Sequence, residues 1–328
     1  MLFLGCDSGA TKIAFALCDE AGRVLALRAF PGITPIDDGR ERYAQRMGEY
    51  IRAVLAQAAI GPEALTFAAF ALTCYGESPT AARDMEAAVA AVLGPAPRVL
   101  VSDAVAGWSG ALRGRPGICV VAGTGSIAYG EDGRGGRQRV GGWSIPYGDE
   151  GSSYWIAVQA VNAFYRQADG RMPRTALYDF FMDLLNIRDP LFFPGAFDAL
   201  TDGGETAKVA AFQRQVLRLY ELGDPCARDI YARAAEQLAQ LVQVLCGALR
   251  FSPGAPVDVT YSGGLFRAGD CILRPFERCV AAHGARLIAP AYGPLAGAVG
   301  YAARNFVDAQ TLEQIFCGVQ NCEALNRK

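Results

Sequence analysis

The sequence predicts an α/β protein built from two copies of one unit, each with the order βββαβαβα. Short apolar runs of strand length alternate with longer stretches in which apolar residues recur at helical spacing. The same order of runs starts again near residue 117. Two such units facing each other would leave a central cleft, and clefts between domains are common sites for small ligands.

In the first copy the predicted strands read LFLGCD, IAFALCD, VLALRAF, LTFAAFALT and RVLVSD. A long helix, ERYAQRMGEYIRAVLAQAA, follows the third strand, because Tyr43, Met47 and Ile51 recur at helical spacing. Two further helices, TAARDMEAAVAAVLG and AVAGWSGAL, complete this copy. We expect the first domain to cover residues 1–114.

The second copy is predicted over residues 115–328. Its strands read ICVVAG, SIAYGED, RQRVGGW, VDVTYSGG and ARLIAP. Helices are predicted after GDEGSS, in ILRPFERCVAAHG and in GPLAGAVGYAARNF, with a mostly helical insert at about 174–251. The clearest helix of the insert starts at Asp224 and Pro225, an N-cap followed by proline at the first helical position. TLEQIFCGVQNC predicts a short amphipathic helix returning to the first domain.

The composition excludes several classes of protein. With 31 Lys and Arg against 33 Asp and Glu, and no run of like charge, nucleic acid is a poor partner. No apolar run approaches the roughly 18 residues of a membrane span, and MLFLGCDSG lacks the features of a secretory signal, so we expect a cytoplasmic protein without a membrane contact. Ten scattered cysteines without a CxxC pair predict reduced thiols, and one histidine, His283, excludes zinc sites of the His-rich kind and two-histidine iron sites.

The first glycine-bearing turn, GCDSGATK, offers consecutive amides to one anion. It is not a P-loop, because Ala10 stands where that pattern needs its second glycine. The small residues Gly9 and Ala10 would let a phosphate approach the backbone, and Asp7 could hold a hydrated magnesium ion. Taken alone, the same stretch also fits a plain hairpin turn.

A second turn, GTGS at Gly123 to Ser126, lies at the matching place in the second copy. It formally resembles the GxGxxA dinucleotide fingerprint, but SIAYGED reads as a strand where that fingerprint needs a helix. We therefore reject a dinucleotide site. Two hairpin loops in matched positions, facing across a cleft, can clamp a triphosphate from both sides.

Several stretches together resemble one known family. They are, in order, GCDSGATK, VSDAVAG, VVAGTGSIAYG, GGWSIPYGDEGSSYW, ELGDPCARDIYARAAEQL, TYSGGLF and GPLAGAVGYA. These are similar to the N-acetylglucosamine kinase branch of the BadF/BadG/BcrA/BcrD family, within the actin, Hsp70 and sugar kinase superfamily. The resemblance implies two RNase H-like domains of the actin-like ATPase kind, the use of ATP and Mg²⁺, and a homodimer.

The resemblance implies that Asp103 is the catalytic residue. Its carboxylate would accept a hydrogen bond from the sugar hydroxyl that attacks the γ-phosphate. A reference pKa near 3.9 makes it a weak base, which suffices because phosphoryl transfer asks mainly for aim and charge neutralisation. From the pattern alone, Asp103 could equally be the N-cap of the helix that follows.

The resemblance also implies a set of binding residues. Those on the sugar side are Thr34, Thr73, Asp103, Ser126, Ile127, Gly142, Trp143, Ser144 and Asp149. Those on the nucleotide side are Asp7, Gly9, Ala10, Thr11, Lys12, Gly123, Thr124, Gly125, Tyr220, Gly263, Gly264 and Arg267. Two alternatives remain open: Trp143 could be an ordinary core residue, and Asp149 or Ser152 could cap a helix.

One loop departs from the family pattern. The family usually carries an Asn after the third strand, whereas this chain reads PGITPIDDG, with Thr34 and Pro35. A hydroxyl in place of an amide changes the hydrogen bonds offered to a sugar. The resemblance therefore implies a kinase with N-acetylglucosamine as first candidate, forming N-acetylglucosamine 6-phosphate, and with glucosamine and N-acetylmuramic acid as alternative acceptors.

Two other functions would make different demands on the sequence. An ATP-driven activator of a 2-hydroxyacyl-CoA dehydratase or benzoyl-CoA reductase needs thiolates at a symmetric interface to hold an iron-sulfur cluster. Cys74, Cys119, Cys271 and Cys279 fall in or beside predicted core elements and do not fit this need. A nucleotide-driven switch would lack a polar pocket for a small acceptor, and the GGW-x4-GDEGS segment argues against it.

Overall fold

The computed structural model describes residues 1–9 and 12–326. Its strands are β1 (Leu2–Ser8), β2 (Lys12–Asp19), β3 (Val24–Pro31), β4 (Phe67–Leu72), β5 (Arg98–Ser102), β6 (Gly117–Ala122), β7 (Ser126–Glu131), β8 (Arg137–Gly141), β9 (Val257–Ser262) and β10 (Ala285–Leu287). Its α-helices are α1 (Pro35–Asp38), α2 (Arg40–Gln57), α3 (Pro79–Leu93), α4 (Asp103–Leu112), α5 (Ser153–Ala168), α6 (Ala176–Leu184), α7 (Phe193–Leu200), α8 (Thr206–Ala211), α9 (Gln213–Glu221), α10 (Pro225–Ala248), α11 (Asp270–Ala282), α12 (Pro294–Ala303) and α13 (Ala309–Asn326). The predicted strands and helices of both copies are found in the predicted order.

The chain divides into two compact units. The first comprises Met1–Cys119 and Ala289–Lys328, and the second comprises Val120–Ile288. The sequence division at residue 115 assigned the whole C-terminal part to the second domain. The structure differs because α12 packs against β1 and α4, and α13 packs against β2 and β3, all of them elements of the first unit.

The sheet of the first unit has the strand order β3-β2-β1-β4-β5. Strand β1 is antiparallel to β2 and parallel to β4, and β4 is parallel to β5. The carboxyl ends of β1, β4 and β5 therefore lie along one edge of this sheet. Polar side chains that follow these strands come close together at that edge.

The alternation of side chains along β1 buries both faces of this sheet. Leu4 and Cys6 belong to the core formed with α2 and α3. Gly5 points the other way, where a Cβ would lie 2.5 Å from the backbone nitrogen of Val299 in α12. Successive residues of a strand face opposite sides, and only a residue without a side chain lets α12 approach this closely.

The sheet of the second unit has the order β10-β9-β6-β7-β8. The predicted helical insert is present as α6 to α10, between α5 and β9. Asp224 caps α10, as predicted, since its carboxylate accepts a hydrogen bond from the backbone N–H of Ala227 at 2.9 Å. Helix α10 then packs against α5, α11, β7 and β8.

The C-terminal helix α13 returns to the first unit, as the sequence predicted. Ile315, Phe316 and Val319 are buried on one of its faces. Gly318 fits against the turn between β2 and β3, where a Cβ would collide with the carbonyl oxygen of Gly22. Across the described residues, each helix is too short or too polar to cross a membrane.

Candidate active site

The edge formed by the carboxyl ends of β1, β4 and β5 holds the predicted catalytic residue. Asp7 and Ser8 end β1, Thr73 follows β4, and Asp103 follows β5 as the first residue of α4. The parallel pairing of these strands brings residues from three distant parts of the chain to one place. Polar groups meeting at the ends of parallel strands are typical of a ligand site.

Hydroxyl groups lie at both oxygens of the Asp103 carboxylate. Ser102 donates a hydrogen bond to Oδ1 at 3.1 Å, and the Thr73 hydroxyl lies 3.2 Å from Oδ2. Burial raises the pKa of Asp103 above its ordinary value, and the hydrogen bonds from Ser102, Thr73 and the backbone of Ala104 oppose that rise. The N-cap of α4 is Ser102, which accepts from the N–H of Ala104 at 3.4 Å, so the interpretation of Asp103 as the N-cap is wrong.

Asp7 lies in an environment crowded with carboxylates. Burial is the main cause that raises its pKa from 3.8 to about 7, and the charges of Asp103 and Glu323 add to the rise, while Lys12 lowers it. Glu323 lies on α13 and is itself buried. The sequence did not indicate Glu323, because only the fold brings residue 323 near residue 7.

The first glycine loop joins β1 to β2. The N–H of Gly9 donates to the carbonyl oxygen of Lys12 at 2.8 Å, which closes the hairpin. The Lys12 side chain is exposed. Ala10 and Thr11 lie outside the described residues, so their part in phosphate binding stays a prediction.

The second glycine loop joins β6 to β7, and a strand follows it, in agreement with the rejection of a dinucleotide fingerprint. The first two N–H groups of α5, from Ser153 and Tyr154, donate to the carbonyl oxygens of Gly123 and Thr124 at 2.9 and 3.4 Å. The N–H of Gly123 donates to Gly125 across the turn at 2.9 Å. The loop is therefore fixed against the start of α5, with the Thr124 side chain exposed.

Asp149 is buried beside this loop with a left-handed backbone, φ 58°. Backbone N–H groups of Ser126 and Ser144 bind its carboxylate, and burial is the main cause that raises its pKa. Its Oδ1 has no hydrogen-bond partner among the residues that the structure describes. A buried acceptor without a partner is costly, and a ligand hydroxyl would satisfy it. Ser152, not Asp149, caps α5 by accepting from the N–H of Trp155 at 3.1 Å.

The segment that leads to Asp149 is open to solvent. Gly142, at φ 67°, donates its N–H to Ser126 at 2.9 Å, and a Cβ there would lie 2.8 Å from the Ile127 side chain. Trp143 is 77% exposed, with the guanidinium of Arg139 at 5.3 Å from its ring. The alternative of Trp143 as a core residue is therefore wrong. Ser144 is exposed as well.

The glycine pair after β9 lies against the start of the second glycine loop. Gly263 has φ 104°, and a Cβ there would lie 2.3 Å from the carbonyl oxygen of Ala122. A Cβ on Gly123 would lie 3.8 Å from the nitrogen of Gly264. Side chains are excluded from the turn at Gly263, so the structure brings Gly123, Gly263 and Gly264 together. Arg267 is exposed on the single turn of helix that follows.

Thr34 and Tyr220 make local contacts. The Thr34 hydroxyl accepts from the N–H of Asp37 at 3.0 Å and lies 2.7 Å from its carboxylate, capping the short helix α1. Tyr220 packs edge-on against Tyr231 at 5.3 Å within the insert. The contacts that the structure gives them do not join either side chain to Asp103 or Asp149.

A metal cluster would need cysteine or carboxylate side chains grouped closely enough to share an ion. Within residues 1–9 and 12–326, no group of three or more His, Cys, Asp and Glu side chains is arranged to hold a metal ion. All ten cysteines are free thiols, and burial raises the pKa of Cys74, Cys119, Cys271 and Cys279. Of these four, Cys119 is buried and the other three are half-buried, and thiols whose pKa is raised by burial do not favour an iron-sulfur cluster.

Two α/β units, each with three leading strands and then alternating helices and strands, define the actin-like class of ATPase folds with two RNase H-like domains. The chain belongs to the BadF/BadG/BcrA/BcrD ATPase family, whose model matches residues 4–302. The family match thus extends through both units and confirms the resemblance noted in the sequence.

Two relatives and one solved structure are similar to the chain. An N-acetylmuramic acid/N-acetylglucosamine kinase of Clostridium acetobutylicum is 32% identical over 51% of this chain and 54% of its own length, so the chain matches about half of that relative. An N-acetyl-D-glucosamine kinase of Dictyostelium discoideum is 24% identical over 80% of this chain and 85% of its own. The structure of a candidate N-acetylglucosamine kinase from Chromobacterium violaceum shares the fold, with a TM-score of 0.70, 24% identity, and coverage of 91% of this chain and 97% of that one.

Proposed function

We propose that the protein is an ATP-dependent kinase that transfers the γ-phosphate of ATP to a hydroxyl of an amino sugar. The observation that carries this proposal is the half-buried Asp103 carboxylate, which lies beside Ser102 and Thr73 at the strand edge that also carries Asp7. The family is one of ATPases, and both relatives above are named as kinases of amino sugars. These observations favour a kinase over an activator or a switch.

Asp103 would direct the attacking hydroxyl. The sugar oxygen forms a bond to the γ-phosphorus, the bond from that phosphorus to the β–γ bridging oxygen breaks, and ADP leaves with the electron pair. The hydroxyl proton passes to Asp103 and then to water. Positioning and charge neutralisation supply most of the catalysis in such transfers, and the pKa of Asp103, raised by burial, makes its carboxylate a better proton acceptor than an exposed one.

Asp149 would bind the sugar from the second unit. Its unpartnered Oδ1 supports this role, because a sugar hydroxyl could donate to it. Gly142, Trp143 and Ser144, together with Ser126 and Ile127, would complete the sugar side. The exposed ring of Trp143 offers an apolar surface on which a sugar ring can rest.

Glycine turns of both units would bind the nucleotide. Gly123, Thr124 and Gly125 would contact phosphate, and Gly263 and Gly264 would allow adenosine to approach the backbone. On the first unit Gly9, Ala10, Thr11 and Lys12 would contact phosphate, with Tyr220 and Arg267 of the second unit as further nucleotide contacts.

Asp7 would hold Mg²⁺ through water. Its carboxylate fits this role, because magnesium prefers oxygen ligands and keeps several waters. The neighbouring charges that raise the pKa of Asp7 form an excess of negative charge that a divalent cation relieves. When bound, the ion would neutralise charge on the phosphates.

N-acetylglucosamine is the proposed acceptor, with N-acetylglucosamine 6-phosphate as product. The names of both relatives support this choice. N-acetylmuramic acid and glucosamine are the alternatives, because Thr34 stands where the family usually has Asn and its hydroxyl already binds Asp37. We also propose a cytoplasmic homodimer on the basis of the resemblance, and light scattering would measure the oligomeric state.

ATP turnover with a panel of sugars tests the proposed function. Turnover of Mg-ATP is measured without sugar and with N-acetylglucosamine, N-acetylmuramic acid, glucosamine and glucose in turn. We expect a rise with at least one amino sugar and a smaller response to glucose. Turnover that ignores every sugar would favour a nucleotide-driven switch.

A further inference from the structure

We propose that Thr73 is a positioning residue, which ties the carboxylate of Asp103 to the end of strand β1, where the first glycine loop starts. This inference rests on the proposed function, because it assigns Thr73 a part in the same transfer. The resemblance implied a sugar contact for Thr73. Positioning is a different role, and it follows from the contacts of its hydroxyl.

The Thr73 hydroxyl lies within hydrogen-bonding distance of two other segments. Its Oγ1 donates to the carbonyl oxygen of Ser8 at 2.5 Å and lies 3.2 Å from Oδ2 of Asp103. A hydroxyl carries one proton and donates to one acceptor at a time, so Oγ1 alternates between the carbonyl oxygen of Ser8 and Oδ2 of Asp103, which both lie within its reach. Strand β4 lies between β1 and β5 in the sheet, which is why the residue that follows it can reach both.

The two segments joined by Thr73 have different roles in the proposed transfer. Ser8 is buried and directly precedes Gly9, whose N–H closes the first glycine loop. Asp103 would aim the sugar hydroxyl. Because a misplacement of about 1 Å can cost about 100-fold in rate, a side chain that fixes Asp103 relative to this loop contributes to the aim of the transfer.

Ser102 differs from Thr73 in what it connects. It donates to Oδ1 of Asp103 and accepts from Ala104, so it orients the carboxylate within its own strand and helix. Of these two side chains, Thr73 is the one whose hydroxyl also contacts β1. Removal of the Thr73 hydroxyl should therefore leave Asp103 in place on α4 but less fixed relative to the glycine loop.

The test compares Thr73→Val with Thr73→Ser and with a matched control. Valine keeps the β-branched shape of threonine and removes the hydroxyl, whereas serine keeps the hydroxyl. The control is Thr66→Val, because Thr66 lies at the other end of the same strands and its hydroxyl accepts from the N–H of Leu2 at 3.0 Å. Both threonines are half-buried.

The readouts are sugar phosphorylation, the KM of ATP and the fraction of ATP hydrolysed without transfer. For Thr73→Val we expect kcat to fall about 10- to 100-fold, the KM of ATP to change less than about threefold, and uncoupled hydrolysis to take a larger share of turnover. Thr73→Ser should stay within about threefold of wild type, because the hydroxyl is retained. Thr66→Val should keep the wild-type kcat and coupling.

Four outcomes would overturn the inference. Wild-type kcat and coupling in Thr73→Val would do so, as would an equal loss in Thr66→Val, which would indicate general damage to the strands. If Thr73→Val does not fold, Thr73→Ala removes the hydroxyl without adding a methyl group, and wild-type coupling in that variant is equally decisive.

A wild-type protein without sugar-dependent turnover contradicts the proposed function itself and this inference with it. An active wild type beside an unaffected Thr73→Val contradicts this inference alone.

Discussion

At the scale of single residues, three carboxylates that are buried or half-buried are the strongest sign of function in this protein. Burial raises the pKa of Asp7, Asp103 and Asp149, which is a cost to folding because a charged form is then poorly solvated. Groups of this kind cluster at functional sites. Asp103 and Asp149 each retain hydrogen bonds to their ionised forms, so both can act as acceptors.

We expect Asp103→Ala to remove most sugar phosphorylation while nucleotide binding stays nearly intact. Loss of a positioned base typically costs about 100- to 10,000-fold. Product formation and ATP affinity, measured by calorimetry, check the two halves of this prediction. The control is Asp229→Ala, since Asp229 is exposed on α10 and pairs with Arg233. Full activity in Asp103→Ala would refute its catalytic role.

Asp149→Ala should chiefly weaken sugar binding. A hydrogen bond to a charged group contributes about 1.5 to 3 kcal/mol, so we expect the KM for the sugar to rise by about 10- to 100-fold, with a smaller fall in kcat. Initial rates over a range of sugar concentrations provide the measurement. An unchanged KM would remove Asp149 from the sugar site.

The raised pKa of Asp7 predicts a pH-dependent stability in the absence of Mg²⁺. The folded protein holds a proton on Asp7 up to a pH of about 7, whereas the ordinary value is 3.8. The contribution of Asp7 to stability is therefore complete below that ordinary value and is lost as the pH rises through about 7. We expect the free energy of unfolding to fall more between pH 5 and pH 8, roughly the window around that pKa, in wild type than in Asp7→Asn. Equal slopes in the two proteins would contradict this explanation.

At the scale of elements, close contacts between backbones hold the site edge in place. Helix α4, which begins at Asp103, packs against α12 through small residues. A Cβ on Gly297 would lie 2.0 Å from the carbonyl oxygen of Ala106, and one on Gly110 would lie 2.4 Å from that of Gly293. Backbone atoms cannot move aside as a flexible side chain can, so these glycines set the separation of the two helices.

We expect Gly297→Ala to destabilise the protein by about 1 to 3 kcal/mol through overpacking. The matched control is Gly247→Ala, because Gly247 also lies inside a helix and a Cβ there would meet nothing within 4 Å. That control should be neutral or stabilising by up to about 1 kcal/mol, since alanine favours helix more than glycine does. Chemical denaturation of both variants gives the comparison, and equal effects would contradict the packing account.

The elements were predictable from the sequence because their signals are local. Short apolar runs such as LFLGCD and helical spacing such as that of Tyr43 and Met47 depend on neighbouring residues, and so does the cap at Asp224. The contacts of the site are not local. The roles of Ser102 and Glu323, and the exposure of Trp143, depend on how distant segments pack, and a single sequence gives no direct sign of that packing.

At the scale of the whole molecule, the first compact unit is built from both the N-terminal and the C-terminal part of the chain. Residues 289–328 add α12 and α13 to the first unit after the second unit is complete. A repeat read along the sequence assigns α12 to the second copy, because chain order alone does not indicate on which sheet a helix packs. The return also brings Glu323 near Asp7, so the C-terminal helix influences the charge of the proposed magnesium site.

The central claim is that this chain transfers a phosphoryl group from ATP to an amino sugar. The most direct test is mass detection of the product after the full chain is incubated with Mg-ATP and an equimolar mixture of N-acetylglucosamine, N-acetylmuramic acid, glucosamine and glucose. The account predicts one dominant phosphorylated amino sugar, with N-acetylglucosamine phosphate foremost, and its loss in Asp103→Ala. Consumption of ATP with free phosphate as the product and no phosphorylated sugar would contradict it.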